Sequence, residues 1–281
     1  MESTRKRAER LVAAAEGVPL TVAYRIQTGP QVRRTRELIA EGAIGDTVGV
    51  HGSMSRRILE TASGDPDQWR LDPDLVGYGA SVTDLGIYPF DAARFVLDAD
   101  PISVTARMRS ADEAFRDVPD QEAAFTVRFD DRTQAACTAT QHGAYTGHLR
   151  VVGTEGELIL EPAFLGQPEQ TPALYGDGRR LEIDDGRRDV MRDGMTEEFD
   201  YFASRVLREA SIGPDERHAL VDMWTLEAIY DAAENGTAIS VWAIRPRDPP
   251  DRASYAGSSF PCASRMSNSS LANSTVRSGS P

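Results

Sequence analysis

Lysine is almost absent from this chain of 281 residues: of its 31 basic residues, only Lys6 is a lysine. Aspartate and glutamate together number 44, which leaves a formal net charge of −13. A chain with this excess of acid has no concentrated basic stripe for phosphates, which argues against a nucleic-acid partner. Both the solvated surface of a halophile and a GC-rich genome produce such a composition, so its cause stays open.

Cysteine and long apolar runs are also scarce. Cys137 and Cys262 are the two cysteines, and they form no Cys-x-x-Cys pair. This excludes a disulfide framework and fits a reducing cytoplasm. No apolar run is long enough to cross a membrane, and no apolar segment of the secretory type follows the first residues. We therefore expect a cytoplasmic protein with no membrane partner.

Several motifs that carry chemistry are missing as well. No Gly-x-Gly-x-x-Gly and no Gly-x-Ser-x-Gly occurs, which removes a phosphate-cradling turn and a nucleophile elbow. The four histidines (His51, His142, His148 and His218) show no His-x-x-x-His spacing, so we expect no metal site. Cys137 lies among alanine and threonine, where a buried, unreactive thiol is expected.

The hydrophobic pattern predicts an α+β fold. Helices are expected at 3–16, 30–41, 77–97, 196–209 and 216–234, with Thr196 capping the fourth and Phe199, Phe202, Val206 and Leu207 forming its apolar stripe. A buried strand is expected at 18–24. Further strands are expected at 46–54, 102–108, 123–129, 133–140, 149–152, 157–160, 173–175, 180–183 and 239–241. The result is an open, predominantly antiparallel sheet with helices on one face.

The stretch from Gly77 to Pro89 carries the most chemistry. Asp84 and Tyr88 are four residues apart on a predicted helix, so they share a face and can point into one cleft. Pro89 follows directly and predicts a kink or a restart of the helix. The alternative is a surface helix with a tyrosine in the core.

The order of these pieces resembles the Gfo/Idh/MocA family of NAD(P)-dependent oxidoreductases. The matching residues are Val-Ala-Tyr-Arg at 22–25 before a proline-started helix, Asp-Gln-Trp-Arg at 67–70, the Gly-x-Gly-(x)4-Asp-x-Gly-x-Tyr-Pro pattern at 77–89, and a sheet containing Gly-Thr-Glu-Gly at 153–156. Within the family, the chain looks most like the D-xylose 1-dehydrogenases of halophilic archaea. The resemblance covers residues 3 to about 242.

The resemblance implies oxidation of a D-xylose-like aldose at C1, with hydride passing to NADP or NAD. It implies that Tyr88 transfers the hydroxyl proton and that Asp84 holds the substrate or relays the proton. Gln68, Trp69, Arg70 and His142 are then expected near the sugar, and Arg25 and Arg70 near the cofactor. For Trp69 a place in the core under a loop is an equal alternative, and for His142 a solvent-facing loop is favoured over the cleft. The family's open sheet also implies a homo-oligomer.

Two family features are missing from these residues. The dinucleotide-binding glycine motif is absent, and so is the Glu-Lys-Pro motif whose lysine lies between nicotinamide and substrate. We therefore expect a remnant of a Rossmann domain at 1–24, a substrate and oligomerisation domain at 25–242, and little dehydrogenase activity from the chain alone. Fast hydrogen exchange is expected at 3–24, where sheet neighbours would be lacking. The alternative function is a non-catalytic oligomerisation or sugar-binding module.

The last segment, 243–281, differs in composition from the rest. From Arg245 onward it carries five arginines and two aspartates, is rich in serine and proline, and has no hydrophobic period. We expect it to be disordered, and we hypothesise that it is translated from a shifted reading frame and is not native to this domain.

Overall fold

One mixed sheet organises the chain. In this computed structural model the described residues are 3–15, 17–57, 68–129, 133–164, 173–181, 190–210 and 213–244. Their strands are β1 (Thr47–Arg57), β2 (Ser103–Arg109), β3 (Glu122–Arg128), β4 (Gln134–Thr140), β5 (His142–Gly153), β6 (Glu157–Glu161), β7 (Ala173–Gly176), β8 (Arg179–Leu181) and β9 (Ile239–Ser240). They form one sheet in the order β8-β7-β6-β5-β1-β4-β3-β2-β9.

The pairing is antiparallel except at the centre of the sheet. There β1 runs parallel to β4, from Gly49 opposite Gln134 to Ser55 opposite Thr140. On its other side β1 pairs antiparallel with β5. The predicted α+β class with an open, mostly antiparallel sheet is confirmed.

The helices are α1 (Arg5–Ala14), α2 (Arg25–Thr28), α3 (Pro30–Ala40), α4 (Pro73–Val76), α5 (Ile87–Leu97), α6 (Val190–Leu207), α7 (Glu216–Asn235) and α8 (Val241–Ile244). A 3-10 turn spans Trp69–Leu71, and a π-helical turn spans Val82–Gly86 directly before α5. Pro30 stands at the start of α3, as predicted, where its missing N–H has no helical acceptor to lose. No described helix has the length and apolarity that crossing a membrane requires.

Small residues on the inward face of the sheet let α5 approach closely. Val50, Gly52 and Met54 alternate inward on β1, and Ala135, Cys137 and Ala139 do so on β4. A Cβ added at Gly52 would lie 2.5 Å from the Cβ of Pro89. The absence of a side chain at this strand position therefore sets the distance between the sheet and the helix that carries Tyr88.

The predicted strand at 18–24 is wrong. These residues form no ladder, and Val18 is 64% exposed. Their backbone contacts Pro214 instead: the N–H of Val22 and the hydroxyl of Thr21 both donate to the Pro214 carbonyl. An apolar run forms a strand only where a neighbouring strand can hydrogen-bond to its backbone. No strand of the described residues lies beside 18–24.

Helix α1 packs on the same core as the sheet. Ala8 is fully buried, the side chain of Arg5 pairs with Glu227 on α7, and the indole N–H of Trp224 donates to Glu9 at 3.1 Å. The proposed division at residue 24 stays a prediction, but α1 is held by residues of α7, on the other side of that division.

Two details of α6 differ from the prediction. It begins at Val190, six residues before Thr196, whose hydroxyl donates to the carbonyl of Arg192 inside the helix instead of capping it. Part of the predicted stripe is exposed, with Phe199 at 67% and Leu207 at 84%. An apolar period identifies a helix, but it does not say whether another element covers that face.

Other predictions concern residues outside the described ranges. The strand predicted at 180–183 lies partly outside them, and Cys262 and the segment from 245 onward lie wholly outside them. Up to residue 244 the chain forms α8, so Val241 begins a short helix instead of ending the closing strand.

Candidate active site

Asp84 lies in a π-helical turn that is anchored by a buried carboxylate. The backbone N–H groups of Ala80 and Val82 donate to the Asp120 carboxylate at 2.6 and 2.7 Å, and the hydroxyl of Tyr230 donates to it at 2.7 Å. The π turn at 82–86 then leads into α5. Proline at position 89 cannot donate to a carbonyl four residues earlier, so the change of helical pitch before it has a physical cause. The predicted kink or restart at Pro89 corresponds to this turn.

The Asp84 carboxylate is held from two directions. Arg70 Nε donates to its Oδ2 at 3.2 Å, and Gln141 Nε2 donates to the same oxygen at 2.9 Å. The Asp84 side chain is 26% exposed. Both bonds end on Oδ2, so Oδ1 is left without a hydrogen bond from the described residues and can accept one from a ligand.

Tyr88 lies one helical turn further along, in electrostatic contact with Asp84. Burial raises the pKa of its phenol above the ordinary value of 10. The guanidinium of Arg25, within hydrogen-bonding range of the phenol, and that of Arg56 lower this pKa, whereas Asp84 raises it. The ring packs against Phe164, with 6.1 Å between the centroids. The structure thus places Arg25 beside Tyr88, although its expected role was at the cofactor.

The other predicted residues fall into two groups. Arg70 is at the site, and its guanidinium lies 4.3 Å from the ring centroid of Trp69, which is 54% exposed. Gln68 precedes them, and both polar atoms of its side chain are buried without a hydrogen-bond partner among the described residues. His142 is exposed at the start of β5, opposite Arg57, and the structure gives it no contact with Asp84 or Tyr88.

Three residues at this site were not found from the sequence. They are Asp120, Gln141 and Tyr145, whose phenol interacts electrostatically with Tyr88, Arg25 and Arg56. Gln141 had a signal: Ala135, Cys137 and Ala139 are buried at every second position, and Gln141 continues that series as a polar residue. A polar side chain at a core-facing position often has a partner to hold.

Comparison with known proteins identifies a domain family. Residues 32–159 match the model of the GFO/IDH/MocA C-terminal domain. A D-xylose 1-dehydrogenase [NADP(+)] from Haloarcula marismortui is 43% identical over 241 residues, which is 85% of this chain and 65% of that protein. Residues 32–159 belong to the GFO/IDH/MocA family.

Further relatives show the same partial overlap. A second D-xylose 1-dehydrogenase (NADP(+)), from Haloferax volcanii, is 30% identical over 80% of this chain and 65% of its own length. The aldose-aldose oxidoreductase from Caulobacter crescentus, solved in complex with glycerol, superposes with a TM-score of 0.75 at 25% identity, covering 85% of this chain and 69% of that one. This chain thus spans just under two thirds of the length of the curated relatives it matches.

The described residues do not fit a nicotinamide dinucleotide. A pyrophosphate requires a glycine-rich turn at a helix N-terminus, and the sequence has no such motif. The two arginines expected at the cofactor are otherwise engaged, Arg25 with Tyr88 and Arg70 with Asp84. The described residues around Asp84 and Tyr88 therefore provide no site for the pyrophosphate of the dinucleotide.

A second buried cluster lies further along α5. Asp91, His218 and Asp222 bring three possible ligand atoms within 4.8 Å of one another, a group that could hold a metal ion. The histidine spacing missed it because the sequence pattern is His-x-x-x-Asp on α7. Arg94 competes for this role, since its guanidinium donates to Asp222 Oδ1 at 2.7 Å. Burial raises the pKa of Asp91 to about 7 and lowers that of His218 to about 4.

Proposed function

We propose that this chain provides the sugar-binding and proton-transfer part of an NAD(P)-dependent dehydrogenase that oxidises a D-xylose-like aldose at C1. One observation carries the proposal: Tyr88 and Asp84 share one partly buried site, each with an arginine beside it. The family and the names of its haloarchaeal relatives support the substrate class.

Each of these residues has a role in handling the sugar hydroxyl. The unbonded Oδ1 of Asp84 accepts a hydrogen bond from a ring hydroxyl, while Arg70 and Gln141 keep the carboxylate in place. Tyr88 takes or gives the proton of the reacting hydroxyl. Oxidation requires the phenolate, and Arg25 and Arg56 favour it because their positive charges stabilise the anion.

The chain alone is expected to turn over very slowly. Burial outweighs the two arginines and keeps the pKa of Tyr88 above 10, so at neutral pH the phenol remains protonated. The described residues also contain no glycine-rich turn that could bind the pyrophosphate of the dinucleotide, which accepts the hydride. Residues other than these must hold the dinucleotide, and a further cation near Tyr88 would be needed to form the base.

Two measurements on the purified 281-residue chain at multimolar salt test the proposal. Saturation-transfer NMR should show binding of D-xylose, and this signal should weaken in Asp84→Asn while the control Tyr175→Phe, in strand β7, keeps it. Absorbance at the NADPH wavelength should not rise when D-xylose and NADP are added. Sugar-dependent NADPH formation would contradict the expected inactivity, and a lack of sugar binding would contradict the proposed substrate site.

The second candidate is an oligomerisation or sugar-binding module without catalysis. It is favoured by the sheet face that lies away from the helices, where small and polar side chains form a shallow groove lined by His51, Ser53, Thr105, Thr126, Thr138 and His148. Light scattering after size exclusion should report a homo-oligomer. Thr126→Arg should dissociate it, whereas Ala43→Arg, in the exposed turn after α3, should not. A monomeric wild-type chain would remove the oligomerisation module and leave only the sugar-binding one.

A further inference from the structure

Tyr145 has a hydroxyl group that is buried without a partner. Its side chain projects from β5 and packs against the main core, in electrostatic contact with Tyr88. The Tyr145 hydroxyl oxygen is buried and makes no hydrogen bond in the part of the chain that the structure describes. Burial raises the pKa of this phenol to about 12, so it stays neutral and can both donate and accept a hydrogen bond.

Gln141, which lies between β4 and β5, also has a buried polar atom without a hydrogen-bond partner among the described residues. Its amide nitrogen donates to Asp84 Oδ2 at 2.9 Å, but its buried amide oxygen has no donor among these residues. Leaving a buried polar atom unpaired destabilises the folded state, so such atoms usually have a partner in the working state of a protein.

Gln141 and Tyr145 are connected through the two candidate catalytic residues. Gln141 is bonded to Asp84, Asp84 interacts with Tyr88, and Tyr88 interacts with Tyr145. Strand β1 lies between the strand that precedes Gln141 and the strand that carries Tyr145, since Ser55 lies opposite Thr140 on β4 and Thr146 on β5. Together Gln141 and Tyr145 offer an amide oxygen that accepts and a phenol that donates or accepts. A ligand with several hydroxyl groups satisfies both of them, because each hydroxyl both donates and accepts.

We propose that Tyr145 and Gln141 recognise the non-reacting hydroxyl groups of a polyhydroxylated ring, and that Tyr145 is a specificity-determining residue. This inference rests on the proposed function, because it assigns contacts within the same substrate site. A site built to bond a hydroxyl rejects the analogue that lacks it, since the partner atom is then left unpaired.

The decisive variant is Tyr145→Phe, which removes one oxygen and keeps the ring. Tyr78→Phe is its control: the Tyr78 hydroxyl accepts a hydrogen bond from the Arg5 N–H at 2.8 Å and is therefore satisfied within the protein. The full chain is titrated with D-xylose and with each monodeoxy derivative of xylose, and thermal unfolding is measured without ligand.

The expected results differ between the two variants. Tyr145→Phe should bind D-xylose about tenfold more weakly, the effect of losing one hydrogen bond, and should not distinguish xylose from one of its deoxy derivatives. Its unfolding midpoint should be unchanged or higher, because an unsatisfied hydroxyl has been removed. Tyr78→Phe should lower the midpoint and leave sugar binding intact.

Two outcomes would overturn the inference in distinguishable ways. If wild type and Tyr145→Phe bind D-xylose equally, Tyr145 does not recognise the sugar, while the proposed function stands. If the wild type binds neither xylose nor its derivatives, the substrate site itself is refuted, and the assignment of Tyr145 with it. A clear loss of stability in Tyr145→Phe would also count against the inference, since it would show that the hydroxyl has a structural partner.

Discussion

Asp91 illustrates how one buried carboxyl group makes stability depend on pH. Its side chain is fully buried, accepts a hydrogen bond from Gln27 at 2.8 Å and lies 2.9 Å from His218. Burial raises the pKa of Asp91 from 3.8 to about 7. The folded state therefore holds a proton that the unfolded chain releases at lower pH. Its contribution to stability is full below about pH 4 and is lost as the pH rises toward 7.

We predict that Asp91→Asn is more stable than the wild type at pH 8 and that this advantage shrinks as the pH falls toward 5. The amide keeps the shape and the bond from Gln27 but has no charge to desolvate. Thermal unfolding across this pH range measures the difference, and the exposed Asp117→Asn serves as control. A constant difference at all pH values would contradict the assignment of the titration to Asp91.

At the scale of elements, the contact between β1 and α5 depends on a missing side chain. Gly52→Ala would place a Cβ against Pro89, so the helix must move or the strand must bend. We predict a loss of about 1–3 kcal/mol, the usual cost of overpacking. Gly49→Ala is the matched control on the same strand, because its Cβ would meet only the Gln134 carbonyl oxygen, at 3.6 Å.

Chemical denaturation of both variants measures these costs. Sugar binding should weaken in Gly52→Ala as well, since Tyr88 adjoins the displaced proline. Equal stability of the two variants would mean that α5 does not rest on Gly52.

The first two segments of the chain should differ in hydrogen exchange. Uniformly fast exchange was expected for 3–24 from the sequence, but α1 has a helical ladder and a fully buried Ala8, whereas 18–23 has no ladder. We predict slow exchange for amides in the second half of α1 and fast exchange at 18–21, read by mass spectrometry of short peptides. Equal protection of the two segments would contradict this packing.

At the scale of the whole molecule, the net charge of −13 opposes compaction. Added salt screens like charges, because the Debye length falls from about 10 Å at 0.1 M to about 3 Å at 1 M. We predict that the unfolding midpoint at pH 7 rises with KCl between these concentrations. The rise should largely vanish near pH 4.8, where the net charge is close to zero. A midpoint that is insensitive to salt at pH 7 would show that the acidic surface does not limit stability.

The sequence predicted the regular part of the fold because local period and packing agreed there. The alternation in β2, β3 and β4 and the apolar face of α7 each match an element of the structure. It failed at 18–24, since pairing depends on a partner strand that local pattern does not reveal. At the site, the spacing of Asp84 and Tyr88 was visible, whereas Gln141, Tyr145 and Arg25 come together only through strand register and the placement of α2.

The parallel pair at the centre of the sheet has a consequence for how the chain can form. Strand β1 ends at Arg57, but both of its partners begin more than 75 residues later, at Gln134 and His142. Local hairpins can join β2 to β3 and β5 to β6 early, yet β1 has to wait for distant segments before it gains a neighbour. Such long closures make folding slow. During synthesis on a ribosome, the half-made chain would hold its central strand unpaired until β4 and β5 emerge, which makes this interval the period of greatest exposure to aggregation.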